Sequence, residues 1–76
     1  MSPVTMRCLE FGVYDVRAGR RFTQPVRLRK GDTDWQLFDG DHGCWRFTTF
    51  AEAKTWLNGV DGRAWLDQLP RAEVTA

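Results

Sequence analysis

Apolar residues first alternate with polar ones along this chain and then recur three and four positions apart, the change of period falling within Cys44–Gly59. Trp45 and Phe47 point to one side of a strand, Thr49-x-x-Glu52 has the form of a capping box, and Phe50, Ala53, Trp56, Leu57 and Val60 make one apolar helical stripe. Gly59 stands where a helix ends on a left-handed residue, so the pattern predicts a helix from Phe50 to Asn58 or Gly59. Upstream, Arg7–Arg17 reads as one long strand with Leu9, Phe11 and Val13 on one face and Cys8, Glu10 and Tyr14 on the other, Gly12 marking a bend or bulge. A turn over Ala18–Arg21 precedes Val26–Lys30, where Val26 and Leu28 face inward and Arg27 and Arg29 outward. Gly31-Asp32 and then Asp39–Gly43 are turns that bound the strands Asp34–Asp39 and Cys44–Thr48. A second apolar stripe of Trp65, Leu66 and Leu69 begins beyond Asp61-Gly62 and stops at Pro70, which cannot continue a helix.

These elements predict an α+β fold: a four-stranded antiparallel sheet packed on one or two C-terminal helices, as a two-layer sandwich. Residues 1–76 form a single domain, with 71–76 expected as a frayed tail. At this length one apolar core is only just sufficient, so four Trp and five Phe read first as the means of obtaining enough buried area. Trp45 and Trp56 are expected to be the most buried of them.

The sheet face turned away from the helices should then carry Glu10, Tyr14, Arg27, Arg29, Gln36, Phe38 and Arg46. Aromatic rings among planar cations and amides are the composition of binding hot spots, so Tyr14, Arg27, Arg29, Gln36, Phe38 and Arg46 are the candidate binding residues. Charge sharpens this picture. Net charge is only +1, yet Met1–Gly31 holds seven Arg or Lys against two acids, whereas Asp32–Ala76 holds four against eight. The chain is a dipole whose basic half suits an acidic partner, but the overall balance is not that of a dedicated nucleic-acid binder.

Catalytic constellations are missing from the pattern. His42 is the sole histidine and Ser2 the sole serine, which excludes a Ser-His-Asp arrangement in the folded body. Cys44 lies two residues from His42 without an orienting third group. Asp32-x-Asp34 and Asp39-x-Asp41 fit turns better than a calcium loop, because Phe50 stands where a bidentate Glu is required. No CxxC, Walker loop or GxGxxG occurs, so neither cofactor nor metal is expected, and the chain reads as a non-enzyme. Cys8 and Cys44 are expected as buried free thiols, and the absence of an apolar leader or span predicts a cytoplasmic protein without membrane contact.

Two resemblances add expectations. Phe47-Thr48 and Ala53-Lys54-Thr55-Trp56-Leu57 resemble the last strand and helix of AP2-like and integrase arm-binding ββα domains, a match over about a third of the chain. Such domains set a basic three-stranded sheet in the DNA major groove, and here Arg20, Arg21, Arg27, Arg29 and Lys30 would supply the cations, although Asp39-Gly40-Asp41 would confront phosphates with like charge. The whole layout is similar to small phage anti-CRISPR inhibitors. Length, the Val13-Tyr14 strand, the aromatic entry at Phe47–Thr49, the helix reaching Trp56 and the Gly59–Gly62 break are the shared features. That resemblance implies a non-enzymatic phage or mobile-element protein that inhibits a host protein or ribonucleoprotein complex by binding it. A DNA-binding module is the alternative.

Overall fold

A computed structural model describes residues 4–19 and 21–71. Five strands and two helices follow one another: β1 (Val4–Glu10), β2 (Val13–Ala18), β3 (Val26–Lys30), β4 (Trp35–Asp39), β5 (His42–Phe47), α1 (Phe50–Asn58) and α2 (Val60–Gln68). Each strand pairs antiparallel with the next in the order β1-β2-β3-β4-β5, and the two helices cover one face. The α+β class and the helix-on-sheet layering stand as expected from the pattern, but the sheet has five strands rather than four.

The extra strand comes from Arg7–Arg17, which is a hairpin and not one strand. Gly12, at φ 75°, takes a conformation that L side chains rarely adopt, so Phe11-Gly12 reverses the chain. The register also shifts between Cys8 and Glu10, where a bulge lets Glu10 pair with Val13. Because side chains alternate with period two, this turn and bulge reverse the parity expected for β2. Tyr14, Val16 and Ala18 face the helices, and Val13, Asp15 and Arg17 face away. Leu9 and Phe11, expected inward, are 46% and 90% exposed.

On the covered face, rows of cross-strand partners run through the sheet. One row is Cys8, Tyr14, Leu28, Leu37 and Trp45, and the next is Met6, Val16, Val26 and Asp39. Leu28, Leu37, Val16 and Val26 are fully buried there, meeting Ala53 and Leu57 of α1 and Leu66 of α2. Each such Leu contributes roughly 2–3 kcal/mol relative to an exposed position. The most buried side chains are therefore aliphatic: Trp45 is 44% exposed and Trp56 only half-buried, contrary to the expectation that these two indoles lie deepest. Indole is too large for a core this thin, so both lie at its margin, 5.0 Å apart between ring centroids.

The helix signals act where the pattern places them, with two corrections. Thr49 Oγ1 accepts the Glu52 N–H at 3.1 Å, and α1 ends at Asn58. Gly59, however, is not left-handed. It is extended, at φ −84°, and serves as C-cap of α1 and N-cap of α2 together. Val60 opens α2 and is 87% exposed instead of completing the α1 stripe. The glycine that the fold requires is Gly62: it is buried, and a Cβ there would meet the Trp56 carbonyl and approach Leu57 Cα at 2.6 Å. That space lets α2 fold back against α1.

Leu69, extended as the residue before a proline must be, ends α2. Arg71 is anchored and not frayed. Its Nη1 donates to Ala18 O at 2.7 Å, and its guanidinium lies 4.0 Å from the centroid of the Phe22 ring. The remainder of the expected tail, 72–76, lies outside the described residues, as does Arg20 of the Ala18–Arg21 turn. No helix among the described residues is long and apolar enough to cross a membrane.

Candidate binding face

Two rows of partners define the uncovered side of the sheet. The first is Glu10, Val13, Arg29, Gln36 and Arg46; the second is Arg7, Asp15, Arg27, Phe38 and Gly43, with Arg17 beside it on β2. Five arginines, Arg7, Arg17, Arg27, Arg29 and Arg46, thus share one face. Of the residues expected there, Arg27, Arg29, Gln36, Phe38 and Arg46 are brought together. Tyr14 is not: it lies on the opposite face, its ring stacked on Phe50.

Arg7 and Arg17 were not among the expected site residues. The signal that finds them is the alternation of Tyr14, Val16 and Ala18 with Asp15 and Arg17, which reads clearly once Phe11-Gly12 is taken as a turn.

The cations differ in how far they are already engaged. Arg17 Nε donates to Asp15 Oδ2 at 2.9 Å, and because the Asp15 side chain is only 14% exposed this is the tightest ion pair of the face. Asp34 draws in both Gln36, by a 3.5 Å hydrogen bond, and Arg46, at 3.9 Å. The Arg29 guanidinium sits 5.3 Å from the centroid of Phe38, whose ring lies across Gly43. Arg7 and Arg27 have no ion pair among the described residues, and Arg27 Nε is shielded from solvent without a hydrogen-bond acceptor. An unpartnered buried N–H is costly, so Arg27 gains most from an incoming acceptor. It lines a groove of about 400 Å³, with Leu9, Asp15, Arg17 and Arg21 around it.

Such a surface can hold anions and planar acceptors. His42 is exposed at the start of β5, and Cys44 Sγ donates to the His42 main-chain oxygen at 3.5 Å, not to its imidazole. Burial pushes the Cys44 thiol above its ordinary pKa, with the Asp39 charge adding to the rise and a backbone hydrogen bond opposing it, the reverse of what an activated nucleophile needs. Both cysteines are free, but neither is a buried core thiol: Cys8 is exposed and Cys44 half-buried. Among the described residues no three His, Cys, Asp or Glu side chains gather to hold a metal ion. Compared with protein-family models, curated proteins and solved structures, the chain matches none.

Proposed function

We propose that this chain is a non-enzymatic phage or mobile-element protein that inhibits a host protein or ribonucleoprotein complex by binding it, in the manner of anti-CRISPR inhibitors. The docking surface is the uncovered sheet face, and the protein acts in the host cytoplasm. One observation carries the reading: five arginines stand on the face that no helix covers, around Phe38, with only Arg17 held closely by an acid. Arg in fork geometry recognises carboxylates and phosphates, and a half-buried aromatic such as Phe38 between guanidinium groups gives a hot spot its apolar centre. Such a protein needs affinity and no turnover.

A DNA-binding module is the second reading, and the position of Tyr14 favours it. With Tyr14 on the helix side, Phe38 is the one ring in the two rows of described residues that carry the cations, a composition closer to phosphate contact than to a protein hot spot. Affinity purification from the host, with and without nuclease and across a salt series, separates the two. Retention of a defined complex after nuclease treatment, weakening little from low to physiological salt, is expected for the inhibitor. Loss of every partner on nuclease treatment, with steep salt dependence, would replace it with the DNA module.

A further inference from the structure

The sheet has two free edges, and beside one of them lies an unexplained aromatic groove. Among the described residues β5 pairs with β4 alone, so its other side presents unpaired main-chain N–H and C=O groups. Trp45 of that strand shares a groove with α2, whose residues Asp61, Ala64, Trp65 and Gln68 recur at three- and four-residue spacing and so form one helical stripe. Between stripe and strand is a groove of about 360 Å³, with Trp45 from β5 and Trp56 from α1 completing its lining. The three indoles follow one another from strand to second helix, Trp45 to Trp56 at 5.0 Å and Trp56 to Trp65 at 6.1 Å between centroids. Asp61 is the only charged residue in the lining, and it has no ion pair among the described residues.

Strand edge, aromatic rings and unmatched carboxylate each constrain the occupant. A free edge accepts an extended segment, whose alternate side chains fall on the helix side and into the groove. The register shift around Cys44 restricts regular pairing to Trp45–Phe47, so the segment is short and depends on the groove for affinity. Indole faces attract cations, and Asp61 supplies the opposite charge. A second copy does not meet these needs. On the helix side its β5 would present Trp45 and Phe47 and its β1 would present Val4, Met6 and Cys8, while Arg46 and Arg7 point to the other face.

We propose that this groove seats a sixth strand: a short extended segment of a partner protein that pairs with Trp45–Phe47 and lays an arginine or lysine side chain across Trp45, Trp56 and Trp65 toward Asp61. This site is separate from the arginine face and does not depend on the function proposed for it.

The test is selection of a random dodecapeptide library on the purified protein, with Ala64→Arg as counter-target. Ala64 is exposed, so this substitution blocks the groove without entering the core. The expected peptides carry Lys or Arg between alternating apolar residues, and their binding falls by about tenfold or more in Asp61→Asn and Ala64→Arg. They retain affinity for the double variant Arg27→Ala/Arg29→Ala, and they slow amide exchange at Trp45–Phe47. No enrichment over the counter-target, selected peptides without a cation, or binding that leaves the β5 amides unprotected would overturn the proposal. So would concentration-dependent dimerisation abolished by Ala64→Arg, which would give the groove to a second copy.

Discussion

The Tyr14 ring stacks on Phe50 with centroids 4.7 Å apart and planes 28° from parallel, joining the second strand to the first residue of α1. Trp35 packs against both rings, at 6.0 Å and 5.1 Å. Tyr14 is thus a structural link between layers. Tyr14→Ala is expected to lower unfolding free energy by about 1–3 kcal/mol in denaturant titration, less than for a fully buried aromatic because the ring is half-buried. Tyr14→Phe keeps the stack, and partner binding should persist. Binding lost in Tyr14→Phe without loss of stability would return Tyr14 to the site.

Gly59 and Gly62 look alike in sequence, yet substitution should separate them sharply. Gly59→Ala meets nothing nearer than 3.4 Å and has an ordinary φ, so its thermal midpoint should stay close to that of the parent. Gly62→Ala drives a methyl group into the backbone of Trp56 and Leu57, which forces the helices apart. A loss on the order of 3 kcal/mol is expected, a large part of the stability of so small a domain. Equal midpoints for the two variants would contradict the close crossing.

Thr49→Ala removes the acceptor of the Glu52 N–H and should cost about 1 kcal/mol, with Thr49→Asp restoring most of it. Chemical denaturation of the three proteins provides the measurement.

Thiol reactivity should divide the two cysteines. Burial raises the Cys44 pKa, so less of it is thiolate at any pH below that value, while Cys8 is exposed on the edge strand. Near pH 8 a thiol-selective reagent should label Cys8 first, as judged by mass spectrometry of Cys8→Ser and Cys44→Ser variants. Raising the pH should narrow the difference.

Arg27→Ala together with Arg29→Ala is expected to abolish binding to the host partner while the melting temperature barely moves, since neither guanidinium makes an ion pair among the described residues. Calorimetric titration against the captured partner checks the first half and thermal denaturation the second. Unchanged affinity would remove the sheet face as the docking surface.

Local order was legible because local chemistry specifies it. The cap at Thr49, the end of α1 before Gly59, the stop at Pro70 and the inward Val26 and Leu28 all follow from residues within one turn or one strand of each other. Arg27, Arg29, Gln36, Phe38 and Arg46 were placed together for the same reason: each lies on a strand whose alternation is unbroken at that residue. Tyr14 was misplaced because its side depends on Gly12 and on a bulge at Leu9, whose pairing partner lies across the hairpin and leaves no mark in the alternation itself.

What the sequence by itself determined is the α+β class, both ends of α1, the stop of α2 before Pro70 and the inward side of β3 and β4, because period and capping act over a few residues. Tertiary structure alone decided the pairing that makes the fifth strand, the depth of each tryptophan and the need for glycine at position 62. These depend on cross-strand register and on how closely two helices approach, distances between residues far apart in the chain that no local pattern encodes.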